Sequence, residues 1–183
     1  MNARNLFAEI LTGEQRVEEL LRREEVSPEF WSLKGEDTKY FLDKILAGDI
    51  SNRKIAVLGA RTGEIIKQYW DGFCQAEEIT LFDTSAGILK LAQEKLGGMN
   101  ANIRYCSTYN EGVEESELNK YDIVLAVNLL HTYEEPLKEV EWAALLLKRE
   151  GDFYAIEYEE LDPMGILISG LLENGFVNRK RGR

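Results

Sequence analysis

The chain has 183 residues, of which 33 are Asp or Glu and 22 are Lys or Arg, for a net charge of −11. This length suits one domain with a full core rather than two ordinary ones, and so acidic a surface opposes a nucleic-acid partner through phosphate repulsion. One histidine leaves no metal-ligand spacing, and two cysteines, Cys74 and Cys106, make no disulfide scaffold. With neither a signal-peptide pattern nor an apolar run of membrane-spanning length, the expectation is a cytoplasmic protein with both cysteines as reduced core thiols and no metal.

Residues 1–50 read as a helical cap or lid. Leu6, Ile10, Leu11, Val17, Leu20 and Leu21 recur at helical spacing between charges. Ser27-Pro28-Glu29 is a helix start, after which Phe30 and Trp31 are placed to pack on the body of the domain. A further helix from about Asp37 is expected to carry Tyr40, Phe41, Ile45 and Leu46 on one face.

Residues 51–183 alternate between apolar runs and amphipathic stretches. Strands are predicted at about 54–58, 78–82, 102–106, 122–127 and 152–157. Helices are predicted at about 63–72, 84–96, 135–148 and 163–174. This alternation implies an α/β fold, a mostly parallel sheet flanked by helices. Gly97-Gly98 is expected to end the second of these helices and Gly151 the third. Residues 110–120 read as an acidic surface loop or short helix. A last strand begins at Phe176-Val177, so C-terminal strands of such a sheet are expected to be truncated.

Three stretches carry the chemistry. In Ile55-Ala-Val-Leu-Gly-Ala-Arg-Thr-Gly63 a strand breaks at Gly59 into a loop closed by Gly63, and a helical pattern starts at Glu64. Gly59 permits a sharp turn and Gly63 a close approach of helix and ligand. Asp83 ends the next apolar run, where its carboxylate can accept bonds from both hydroxyls of a ribose. A dinucleotide site wants a third glycine, so G-x-x-x-G with a distal acid suits the ribose and amino-acid parts of S-adenosylmethionine (SAM) better than NAD. The second stretch, Tyr121-Asp-Ile-Val-Leu-Ala-Val-Asn128-Leu-Leu-His131, sets Asn128 to His131 at the carboxyl end of a buried strand, where ligands bind in open parallel sheets. His131 can take a proton near neutrality. The third, Gly151-Asp-Phe-Tyr-Ala-Ile-Glu157, ends on a carboxylate that can lie beside that imidazole and orient it. Asp122 falls at the opposite strand end and reads as structural, Trp70 and Trp142 as packing residues, and Tyr105 or Tyr109 as a candidate wall for an adenine pocket.

Together these motifs resemble class I SAM-dependent methyltransferases of Rossmann-like fold. More closely, residues 8–177 resemble the C-methyltransferase domains of polyketide synthases and mixed polyketide and nonribosomal peptide synthetases. The resemblance rests on Ile10-Leu-Thr-Gly-Glu14 with Leu20-Leu21, Gly59-Ala-Arg-Thr-Gly63, Asp83-Thr-Ser85, Asn128-Leu-Leu-His131-Thr132, Leu145-Leu-Leu-Lys-Arg-Glu-Gly151 with Glu157, and Leu171-Leu-Glu-Asn-Gly-Phe176. It implies a catalytic dyad of His131 as base and Glu157 as its orienting partner. It implies SAM held by Gly59, Ala60, Arg61, Gly63, Asp83, Thr84, Ser107 and Asn128, with S-adenosylhomocysteine (SAH) as product. The implied substrate is a β-ketoacyl thioester on the phosphopantetheine arm of an acyl carrier protein, or one presented by neighbouring synthase domains. The chain departs from the family at Val57, where an acid is frequent, at Arg61 in place of a glycine, at Ser107 near the place of an aspartate, and at Asp152 in place of a turn glycine. These departures leave two alternatives open: a non-catalytic domain with a structural role in a synthase, and a small-molecule O- or N-methyltransferase.

Overall fold

The computed structural model describes residues 36–59, 61–99, 102–107, 114–130, 133 and 135–157, together with 9, 10, 12, 14 and 15 near the N-terminus. Helix α1 (Glu36–Leu46) precedes strand β1 (Lys54–Leu58). A 3-10 turn (Arg61–Gly63) leads into α2 (Glu64–Gln68) and α3 (Trp70–Phe73). Then come β2 (Glu78–Asp83), α4 (Ala86–Leu96), β3 (Ile103–Ser107), a 3-10 turn (Glu115–Glu117), β4 (Tyr121–Val127), α5 (Pro136–Leu146) and β5 (Leu147–Ile156). The five strands form one sheet in the order β3-β2-β1-β4-β5, every pair parallel. The chain reverses its winding between β1 and β4, and such switch points open a crevice at the carboxyl ends of the strands.

Strand alternation sorts the apolar residues into two layers. Ile55, Val57, Ile79, Leu81, Ile123, Leu125 and Val127 face α1 to α4, against Leu42, Ile65, Ile66, Phe73, Ile88 and Leu96. Ala56, Leu58, Phe82, Val124 and Ala126 face α5, against Ala143 and Leu146. Trp142 meets Phe82 edge to face at 5.4 Å between centroids, and Trp70 packs against the first layer, so both act as packing residues. Val57, in the place of the expected acid, is a buried member of the first layer.

Among the described residues no helix covers the β2–β3 part of the second layer, and Glu117 lies there. Its carboxylate, buried beneath the 3-10 turn, accepts from Arg104 Nη2 at 2.9 Å, from Lys120 Nζ at 3.2 Å and from the Tyr121 hydroxyl. Arg104 and Lys120 also reach Glu78 Oε1, each at 3.1 Å. Burial opposes these charges, yet the surrounding donors hold the Glu117 and Glu78 carboxyls below their ordinary range. Burial and the Glu117 carboxylate push the Tyr121 phenol up.

Four expectations need correction. The buried face of α1 is Leu42 and Leu46 with Ile45 at its margin, while Tyr40 and Phe41 are 61% and 52% exposed. Residues 42 and 46 lie one helical turn apart in the first core layer, and Leu46 meets α3 at Gly72, a face rotated away from Tyr40. The helix expected over 63–72 breaks at Tyr69 (φ −111°, ψ 29°) into α2 and α3. Gly151 does not end a helix. α5 ends at Leu146, where Asn119 and Lys120 N–H donate to the carbonyls of Leu145 and Leu146 at 2.9 Å. Gly151 instead lies in β5, at an irregularity between the pairs Tyr121–Leu147 and Ile123–Asp152, where a Cβ would come within 3.0 Å of the Tyr121 carbonyl. Cys74, read as a core thiol, is exposed. Residues 16–35 and 158–183, with the expected helices and final strand there, lie outside the described residues.

Candidate functional site

Each strand delivers one of the predicted residues to the same edge of the sheet. Asp83 and Ser107 are the last residues of β2 and β3 and pair with each other. Gly59, Asn128 and Glu157 directly follow β1, β4 and β5. Across the edge the order is therefore Ser107, Asp83, Gly59, Asn128, Glu157, with the glycine loop at the centre and a carboxylate to either side. Backbone bonds extend the ladders to these positions: Gly59 N–H donates to the Phe82 carbonyl at 2.8 Å and Asn128 N–H to that of Ile156 at 2.7 Å.

The glycine loop is shaped by left-handed backbone. Gly59 has φ 77° and Gly63 φ 76°. A Cβ at Gly59 would stand 3.0 Å from Leu129 Cδ1, and one at Gly63 would collide with Leu96 Cδ1 at 2.7 Å. Gly63 thus admits α4 against the start of α2. Between them Thr62, fully buried, also takes φ 56°, rare for a β-branched residue and characteristic of functional loops. The G-x-x-x-G spacing marked the two glycines but gave no sign of Thr62. Ala60 and the Arg61 side chain lie outside the described residues.

Asp83 Oδ1 accepts from Ser85 N–H at 2.8 Å, which fixes the turn after β2. Ser85 in turn caps α4 by accepting from Ile88 N–H at 3.3 Å. Thr84 between them is exposed. On β3, Tyr105 packs against the first core layer rather than standing at the edge, and burial raises its phenol. Tyr109 lies outside the described residues.

Glu157 Oε1 accepts from both Leu129 N–H and Leu130 N–H, each at 2.8 Å. The carboxylate closing β5 therefore anchors the segment that follows β4. Tyr133 N–H donates to the Leu130 carbonyl at 3.2 Å within the same segment. His131, expected to face Glu157, lies outside the described residues. Leu129, whose side chain covers Gly59, drew no role of its own from the sequence, because an apolar residue after an apolar strand has no chemical signature.

Asp122 sits at the other edge, as expected. It accepts from Lys54 N–H at 2.9 Å and from Lys148 Nζ at 2.8 Å. These bonds outweigh partial burial and hold its carboxyl below the ordinary range. An open groove of about 640 Å³ lined by Lys39, Asp43, Lys67 and Trp70 lies between α1 and the α2–α3 junction, apart from the five edge residues. Among the described residues, no cluster of His, Cys, Asp and Glu is arranged to hold a metal ion, and no helix is long and apolar enough to cross a membrane.

The SAM implied by the resemblance suits this edge. Gly59 brings no side chain of its own to the left-handed turn at the centre of the edge, and Asp83 on the adjacent strand offers the carboxylate a ribose diol needs.

The family model described as "Methyltransferase domain" matches residues 56–155, more than half of the chain, from within β1 to within β5. No curated protein matches the chain. Among solved structures, it is similar to the trans-methyltransferase CalH in complex with SAH (TM-score 0.69, 18% identity, covering 91% of this chain and 49% of that one). It is similar to the CMeT domain of the citrinin polyketide synthase (0.68, 18%, 92% and 48%) and to the CurJ carbon methyltransferase (0.65, 21%, 93% and 50%). The chain spans about half the length of these structures, and at such identities the likeness is one of fold.

Proposed function

From the membership of this chain in the methyltransferase domain family, as a SAM-dependent methyltransferase, we propose that its acceptor is carbon: the α-carbon of a β-ketoacyl thioester on an acyl carrier protein, in cytoplasmic polyketide or mixed polyketide–peptide synthesis. One observation carries the reading. The Glu157 carboxylate is fixed by two backbone amides to the segment leading into His131, in the sequence context Asn128-Leu-Leu-His131-Thr132. The named carbon methyltransferases of the same fold support it.

When bound, SAM supplies an electrophilic methyl group. Gly59, Ala60, Arg61 and Gly63 would lie against its amino-acid end, Asp83 and Thr84 at the ribose, and Ser107 and Asn128 to either side. His131 would take the proton from the α-carbon, which two flanking carbonyls make acidic enough for an imidazole near neutrality. Glu157, an anion beside that segment, would favour the imidazolium that results. The enolate carbon is then the nucleophile, and the site has only to hold it in line.

The test is incubation with SAM and a β-ketoacyl pantetheine thioester, followed by mass and NMR analysis. Addition of one methyl group at the α-carbon, abolished by His131→Ala, supports the reading. Methylation at oxygen or nitrogen, or no transfer by a protein that binds SAH, overturns it.

A further inference from the structure

We infer that Glu157 and Leu129 are positioning residues for the cofactor pocket, joining the glycine loop to the segment after β4. The inference rests on the SAM reading above and deepens it. Glu157 holds the Leu129 and Leu130 amides at 2.8 Å from one carboxylate oxygen. Leu129 is thereby held with its side chain over Gly59, where Cδ1 stands 3.0 Å from the place of a Cβ and Cδ2 and Cγ 3.7 Å away. Leu129 also packs against the second core layer. Asn128, at φ 50°, makes the bend that turns Leu129 toward β1, and its N–H is tied to β5 through Ile156. The path from Glu157 to Gly59 is therefore one hydrogen bond, to Leu129 N–H, and one side-chain contact, with the Leu130 bond beside it. A carboxylate whose only task was to orient an imidazole would need none of it.

The consequence is specific. Removing the carboxylate releases the Leu129 amide, and the wall beside Gly59 loses its fixed position, so ligand affinity falls even where no base is required. An amide side chain at 157 keeps an acceptor oxygen for both N–H groups while losing the charge. The two functions thus separate by substitution.

The experiment measures SAH affinity by calorimetry for wild type, Glu157→Ala, Glu157→Gln and Leu129→Ala, with amide hydrogen exchange at Leu129 and Leu130 in the ligand-free proteins. Glu157→Ala and Leu129→Ala are expected to weaken SAH about tenfold, the scale of a lost charge-assisted anchor. Glu157→Gln restores most of that affinity. Exchange at both amides speeds up in Glu157→Ala and recovers in Glu157→Gln. Unchanged affinity in Glu157→Ala, in a wild type that binds SAH, overturns the inference and leaves the SAM reading standing. A wild type that does not bind SAH overturns both.

Discussion

Leu96 of α4 occupies the space that any side chain at Gly63 would need. Its Cδ1 lies 2.7 Å from the position of a Cβ, and the Gly63 backbone is left-handed at φ 76°. The glycine that closes the loop is thus required first by helix packing. Gly63→Ala should destabilise the fold by at least about 2 kcal/mol, the sum of left-handed strain and overpacking. Adding Leu96→Ala should recover only the overpacking part. Denaturant unfolding of the single and double variants measures this.

The Glu117 cluster gives a pH dependence with a defined sign. Folding lowers the Glu117 and Glu78 carboxyls from their ordinary value of 4.5. The unfolded chain therefore binds more protons as pH drops below that value. The contribution is complete above 4.5 and is lost as pH falls through the lowered folded values. Glu117→Gln, which leaves Arg104 and Lys120 without their buried partner, should cost about 2 kcal/mol at neutral pH and flatten the acid limb. Urea midpoints between neutrality and the acid range would show it.

Asp122 offers the opposite contrast. It joins the starts of β1 and β4 to Lys148 at the edge remote from the glycine loop. Asp122→Ala should lower stability by about 1 kcal/mol, while SAH affinity stays unchanged within about twofold because the sites share no partners. Thermal unfolding paired with calorimetry checks both halves.

The edge residues were legible because each follows the end of an apolar run. The ends of β1 and β2 and the start of α2 follow from Leu58, Asp83 and Glu64. What stayed hidden depends on contacts across the fold. The buried face of α1 includes Leu46 packed on Gly72 of α3, a contact that the pattern within α1 does not announce. The irregular start of β5 reflects Gly151 pressed against the β4 backbone. Glu117 reads as one acid among many in 110–120, and only the surrounding Arg104, Lys120 and Tyr121 make it a buried group. Thr62 and Leu129 carry no chemical signature; their roles come from a left-handed φ and from the bare backbone at Gly59.

Asp83 is where the cofactor assignment is most exposed to a decisive result. Its position at the end of β2, one strand from Gly59, is the ground on which it is proposed as the carboxylate for the ribose. The direct measurement is calorimetric titration of SAH into wild type and Asp83→Ala, with circular dichroism confirming that the variant is folded. The account predicts saturable micromolar binding by wild type and a loss of at least about thirtyfold in the variant, as expected for removing charge-assisted bonds to two hydroxyls. No binding by wild type at millimolar SAH, or equal affinity in a folded Asp83→Ala variant, would contradict it.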